Sequence, residues 1–339
     1  MYTSFDKIKS AIQNGTSAVE IVHYFINKIE DKKHLNAFLE VFNKSALKKA
    51  KEVDEKIKAG NAGRLAGMVI GIKDNMAYRG HKVSASSKIL EGFESIYTAT
   101  SLQRLLDEDA IIIGRLNCDE FAMGSSNENS AFGNVLNPVN EKMVPGGSSG
   151  GSATAVAAGL CTASLGSDTG GSIRQPASFT GIIGYKPTYG TISRYGLLAY
   201  ASSFDQIGPF TTTIKDTALL TDVMSGKDEY DSTASQTENH NITIHSIEGK
   251  SLKIAYIKNC MDSDGLDAEI KTKLEKTISE LKAKGHTVEP VDFPYLNEMV
   301  PTYYVLTTAE ASSNLSRYTG VHYGKLAKDV QGVEDTYKK

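Results

Sequence analysis

The chain has 339 residues and a formal net charge of −3, with 40% hydrophobic and 23% charged residues. That length can bury a sizeable core, and that balance is ordinary for a globular protein. It excludes a strongly basic nucleic-acid surface as the main theme. The longest apolar runs fall far short of the roughly 20 residues that a bilayer span needs. The start, MYTSFDKIKSAIQNG, has no apolar h-region, so the expectation is a chain without a signal peptide that works in the cytoplasm. Cys118, Cys161 and Cys260 are far apart and form no CxxC, which reads as buried free thiols in a reducing compartment.

Residues 3–60 read as a helical segment. TSAVEIVHYFINKIEDK carries apolar residues at helical spacing, with Thr16 or Ser17 as N-cap. SALKKAKEVDEKIKAG repeats the pattern and stops at Gly60. The period then changes. LAGMVIGIKDNMA reads as a buried strand with Lys73 near its end. TATSLQRLLDEDA is an amphipathic helix and IIIGRLN a buried strand. SATAVAAGL is a helix of small residues, CTASLGSDT a strand and GIIGYKPTYG another. Residues 226–250 are polar and read as a surface loop within one domain spanning 1–339, with a domain boundary there as the alternative. Beyond them LKIAYI, DAEIKTKLEKTISELKAKG and HTVEPVDF form a strand–helix–strand unit. This alternation predicts an α/β fold with a buried, largely parallel or mixed sheet.

Several motifs are absent. The chain has no GxxxxGK[ST], no GxGxxG and no HExxH, and no histidine between 82 and 239. No metal site is expected. Ser148 and Ser149 each satisfy GxSxG, but that elbow needs a strand running into the turn, and NPVNEKMVP reads as loop. Ser45-Ala46-Leu47-Lys48 gives an SxxK pattern with no SDN or KTG beside it, on a solvated helical face.

Two glycine–serine clusters stand in the most apolar part of the chain, Gly146 to Gly151 and Gly170-Gly171-Ser172. Glycines free the backbone and expose successive N–H groups. Such an array binds phosphate or forms an oxyanion hole. Ser172 would then sit beside the N–H groups of Thr169, Gly170, Gly171 and Ser172. A nucleophilic serine needs a base, and with no histidine near, a lysine is the candidate. Lys73 stands alone in an apolar strand, where burial lowers a lysine's pKa. Two readings of Lys73 stand at this point: that base, or an ion pair with Asp74 or another acid.

The stretch GGSSGGSATAVAAGLCTASLGSDTGGSIRQPASFTGIIGYKPTYG resembles the amidase signature family, whose catalytic triad is Ser–cis-Ser–Lys. The resemblance places the base on Lys73 of "GIKDN", the bridging serine on Ser148 and the nucleophile on Ser172 of "DTGGSIRQP". Their separations, 75 (148 − 73) and 24 (172 − 148), agree with the family's arrangement. It implies a cis peptide at Gly147–Ser148, an oxyanion hole at residues 169–172, and structural roles for Asp168 and Arg174. It also implies a mixed central sheet covered by helices on both faces.

NCDEFAMGSSNENSAFGNVLNP, SRYGLLAYASSFDQIGP and YYVLTTAEASSNLSRYTGVHYG are similar to the tRNA-dependent amidotransferase branch of that family. The resemblance to that branch implies glutamine hydrolysis, with ammonia passed to a partner B subunit in a complex that also holds a C subunit. ATP and Mg²⁺ would act in the B subunit on a charged tRNA, and this chain would hold no cofactor. Tyr303 or Tyr304 would contact glutamine. The acid and arginine that hold the α-amino and α-carboxylate groups would lie in the part of the family domain beyond Lys339. Two alternatives share the same residues: a free-standing amidase acting on other small amides, and a partner-binding scaffold without chemistry.

Overall fold

The computed structural model describes residues 2–237, 242, 244 and 248–338. It divides the chain into two compact units, Met1–Thr243 with Glu310–Lys339, and Ile244–Ala309. The division between residues 243 and 244 falls within the polar segment 226–250. The reason for the division lies in the strand pairing: the two late strands pair with each other in a sheet of their own.

The first unit opens with α1 (Phe5–Gln13) and α2 (Ala18–Asp31). Ser17 is the N-cap of α2 and forms a capping box with Glu20, satisfying two otherwise orphaned N–H groups. Ile21, Val22, Phe25 and Ile29 bury the apolar stripe of that helix. A strand, β1 (Phe38–Val41), follows inside the segment that reads as wholly helical. It is half-buried and only four residues long, too short for its period to show among helices. Next come α3 (Asn43–Ala59), closed by Gly60 at φ +74°, β2 (Val69–Lys73), α4 (Thr100–Asp107) and β3 (Ile111–Leu116). Then follow α5 (Gly150–Ala157), β4 (Ala163–Asp168), α6 (Arg174–Thr180), β5 (Ile183–Gly184), β6 (Gln206–Thr211) and α7 (Ile214–Met224). The GIIGYKPTYG segment keeps only two residues as strand, and Pro187 beyond them has no N–H for a ladder.

The six strands form one sheet in the order β1-β3-β2-β4-β6-β5. β2 is parallel to both its neighbours, β3 and β4, while β1, β6 and β5 pair antiparallel. The sheet is thus mixed, as predicted. Every residue of β2, β3, β4 and β6 is buried, which fits strands covered on both faces. The helices α3, α5 and α7 pack against it.

The segment 226–250 behaves differently from a free polar loop. Asp228 and Asp231 within it are buried, taking hydrogen bonds from the Ser193 hydroxyl and the Arg194 N–H. A buried carboxylate needs such donors, and they tie this stretch down. Residues 238–241, 243 and 245–247 of that segment lie outside the described residues.

The second unit is a parallel pair, β7 (Lys253–Ile257) and β8 (Thr287–Val291). Between them in the chain lie α8 (Lys258–Met261) and α9 (Ala268–Ala283), and α10 (Leu296–Leu315) follows, its residues to Ala309 in this unit. Asp267 caps α9 through the N–H groups of Glu269 and Ile270. The last helix, α11 (Gly332–Lys338), belongs to the first unit.

Candidate active site

Lys73 is the last residue of β2 and Asp168 the last of β4. The two strands run parallel in adjacent positions, with Ile72 beside Leu165, so their carboxyl ends open on one edge of the sheet. That edge is where α/β sheets place their sites. Lys73 is fully buried. Its Nζ meets three hydroxyls: Ser148 Oγ at 2.7 Å, Ser149 Oγ at 2.9 Å and Ser167 Oγ at 2.9 Å.

The ion-pair reading of Lys73 fails at Asp74. That carboxylate accepts from Arg115 Nη1 at 2.7 Å, from the Ser84 hydroxyl at 2.5 Å, and from the N–H groups of Ser84 and Ser86. Among the described residues, no carboxylate lies within ion-pair distance of Lys73. Burial pushes Lys73 below the ordinary lysine range, opposed by Cys118, Asp119, Asp205 and Asp168. The Cys118 thiol is itself pushed up to about 12 by burial. It is therefore neutral near pH 7 and opposes the shift little, so the downward direction stands.

Ser148 sits where the first glycine cluster turns into α5. The Gly147–Ser148 peptide is cis. A Cβ at Gly147 would lie 2.1 Å from Asp119 Oδ2, so no other residue fits there without displacing that carboxylate. The Gly147 N–H donates to Gln175 Oε1 at 2.9 Å, and the Asp119 N–H donates to the Ser148 carbonyl at 3.1 Å. Asp119 in turn accepts from the N–H groups of Asn127 and Asn129.

The second cluster turns β4 into α6. Gly171 lies at φ +127°, a conformation that L side chains rarely adopt. Asp168 shapes the turn by accepting from the N–H groups of Gly171, Ile173 and Arg174. Both its oxygens also accept from the Arg174 guanidinium, at 3.0 Å each. Burial alone would raise the Asp168 pKa, but the guanidinium and these N–H groups outweigh it and hold the carboxylate below its ordinary value. Of the four N–H groups at residues 169–172, that of Gly171 donates to Asp168 at 2.7 Å. Among the described residues, the N–H groups of Thr169, Gly170 and Ser172 have no such partner. The Thr169 hydroxyl is held by Asp205 at 2.5 Å. Asp205 is also buried, and that burial raises its pKa.

The two clusters meet directly, since the Ser149 N–H donates to the Ser172 carbonyl at 3.3 Å. Ser172 is 8% exposed, while Lys73 and Ser148 are 0% exposed. Nucleophile candidate and solvent thus meet at one point of an otherwise closed network. Ser149, from the first glycine–serine cluster, joins this network, as do Ser167 and Asn75, which carry no signal in their local sequence. Asn75 Nδ2 donates to Ser167 Oγ at 2.9 Å. The pairing of β4 with β2 would have revealed Ser167, had the strand order been known.

The remaining motif residues are placed as follows. Residues 138–149 form no strand, so the GxSxG elbow lacks its first half. Ser45 is half-buried rather than solvated, and its hydroxyl lies 3.0 Å from His81 Nε2. Lys48 is exposed and faces Glu52. Tyr303 and Tyr304 lie in the second unit, their rings edge to face at 5.4 Å. Among the described residues, no group of three or more His, Cys, Asp or Glu could hold a metal ion, and no helix is long and apolar enough to cross a membrane.

The family model described as Amidase matches residues 20–339. The chain belongs to the amidase family. One amidase relative, the A subunit of glutamyl-tRNA(Gln) amidotransferase from Lachnospira eligens, is 48% identical over 335 residues, covering 98% of this chain and 69% of the relative. The protein of the same name from Macrococcus caseolyticus is 46% identical over 341 residues, covering 100% and 70%. Among solved amidase structures, the A subunit of glutamyl-tRNA(Gln) amidotransferase from Thermotoga maritima matches with a TM-score of 0.76 at 39% identity, covering 88% of this chain and 63% of that one. The native peptide amidase from Stenotrophomonas maltophilia matches with a TM-score of 0.84 at 28% identity, covering 96% and 69%.

Proposed function

We propose that this amidase-family chain is the glutamine-hydrolysing A subunit of a tRNA amidotransferase, with Lys73, Ser148 and Ser172 as its catalytic triad. One observation carries the chemistry: a fully buried lysine with no carboxylate partner among the described residues, 2.7 Å from the hydroxyl of Ser148. Burial lowers the pKa of that amine, which favours its neutral form, the form that can act as a general base. The substrate assignment draws on identity rather than on fold. The fold is common to peptide amidase and to amidotransferase subunits, whereas identity is 39–48% to the latter and 28% to the former.

The proposed sequence of steps balances as follows. Neutral Lys73 takes the Ser148 hydroxyl proton as Ser148 takes that of Ser172. Ser172 Oγ attacks the side-chain amide carbon of glutamine, and the uncommitted N–H groups of Thr169, Gly170 and Ser172 receive the oxyanion. The proton returns through Ser148 to the leaving nitrogen. The C–N bond breaks, ammonia departs and an ester on Ser172 remains. Water, activated along the same path, releases glutamate. In this reading Asp168 and Arg174 hold the loop and touch no reacting atom. The B and C subunits are assigned to a cytoplasmic complex, and ATP, Mg²⁺ and the charged tRNA to the B subunit.

Ammonia release from glutamine by the chain together with B and C subunits tests this reading. Turnover is expected with the wild type and loss with Ser172→Ala. Hydrolysis of simple amides with none of glutamine would instead favour a free-standing amidase. Failure of an activated acyl or fluorophosphonate probe to label Ser172 would leave the scaffold reading.

A further inference from the structure

Lys73 Nζ stands among three hydroxyls, and two of them take no part in the proton path. Their own hydrogen bonds decide what they can offer the lysine. The Ser149 hydroxyl donates its proton to the Ser167 carbonyl at 3.1 Å. Ser149 Oγ can therefore only accept from Lys73. Ser167 Oγ accepts from Asn75 Nδ2 at 2.9 Å and from Lys73 at 2.9 Å, which fills both its lone pairs with N–H donors.

A neutral lysine amine has two N–H bonds and one lone pair, and an ammonium has three N–H bonds. With Ser149 and Ser167 each accepting one N–H, the third tetrahedral position of Nζ points at Ser148. We infer that Ser149 and Ser167, the latter braced by Asn75, are positioning residues that aim the Lys73 lone pair at Ser148. The inference rests on Lys73 being the base. Its consequence is that proton transfer reverses only one of the hydrogen bonds at Nζ. Before transfer Ser148 donates to Nζ, and afterwards the ammonium donates to Ser148. The contacts to Ser149 and Ser167 stay as they were. The ammonium then has three oxygen acceptors, so it needs no carboxylate in the buried site.

The groups whose charge bears most on Lys73 are Cys118 and Asp119 after β3, Asp168 at the end of β4 and Asp205 before β6. None of them touches Nζ, and none changes in the variants below. Loss of one hydroxyl removes an acceptor that favours the ammonium over the neutral amine, so the acid limb of the pH profile moves to lower pH.

The experiment follows fluorophosphonate labelling of Ser172 in this chain across pH, reading rate and final amplitude separately. Amplitude reports the folded fraction, and rate reports the base. Ser167→Ala and Ser149→Ala are expected to keep full amplitude, to label about tenfold more slowly on the plateau, and to shift the acid limb downward. Ser167→Thr keeps the hydroxyl and is expected to restore both rate and limb. Wild-type rates and midpoints in both alanine variants would overturn the inference. So would slower labelling with an unmoved limb, or lost amplitude, because either places the hydroxyls in the fold rather than on the base. Equal labelling of wild type and Ser172→Ala would instead overturn the triad itself.

Discussion

The molecule builds the same pattern twice with opposite outcomes. In the first unit the parallel strands β2 and β4 are buried at every residue. In the second unit the parallel strands β7 and β8 are mostly exposed, and α9 between them buries no residue. Each pair carries a lysine on its first strand. Lys73 closes β2 and is 0% exposed, whereas Lys253 opens β7 and is exposed. Strand–helix–strand periodicity is equally plain in both regions, so the pattern alone does not make a site. Burial does, by stripping water from an amine and leaving only hydroxyls around it.

The largest expected effect breaks the comparison at its chemical end. Ser172→Ala should lower acyl transfer by about 10³-fold or more, read as probe labelling or ammonia release. With Lys73 lowered by burial, the wild-type rate should rise with pH through that lowered pKa and reach its plateau below the ordinary lysine range. An exposed amine base would plateau only above about pH 10.4. Next in size is Gly147→Ala, whose added methyl meets Asp119 Oδ2 at 2.1 Å. It should cost about 3 kcal/mol or more in chemical denaturation.

Ile70→Ala in fully buried β2 should cost about 2–5 kcal/mol, whereas Ile270→Ala in α9, at 53% exposure, should cost about 0.5 kcal/mol. Equal costs in the two strand–helix–strand regions would remove the contrast drawn above. Arg174→Gln leaves the buried Asp168 carboxylate without its guanidinium. Because Arg174 is half in solvent, the loss should be about 1–2 kcal/mol. Asp168 has a lowered folded pKa, so its contribution is complete above the ordinary carboxylate pKa of 3.8 and fades as pH falls below it. Acid titration of stability should show that fade in the wild type and a weaker one in Arg174→Gln.

The strands that carry the site were legible because buried parallel strands are continuous apolar runs, and a lysine ending such a run is conspicuous. The serine clusters were legible as backbone devices, and the resemblance ordered them into roles. What stayed hidden depends on pairing between distant segments. Asp74 follows Lys73 directly, yet it points to Arg115 on β3, an outcome set by the neighbouring strand. Ser167 looks like any serine in β4 until β4 is laid beside β2. β1 was missed because four half-buried residues give no readable period. Residues 226–250 read as a loop or as a boundary, because a polar stretch looks alike whether it loops within a domain or leads to another.

The cysteines carry a practical consequence of the same contrast. Only a thiolate is alkylated, and Cys118 and Cys161 are buried with thiols pushed up to about 12. Cys260 is exposed in the second unit. A maleimide reporter should therefore attach at Cys260 and leave the hydroxyl network around Lys73 untouched. The native chain thus offers a single dye position with no cysteine to remove first.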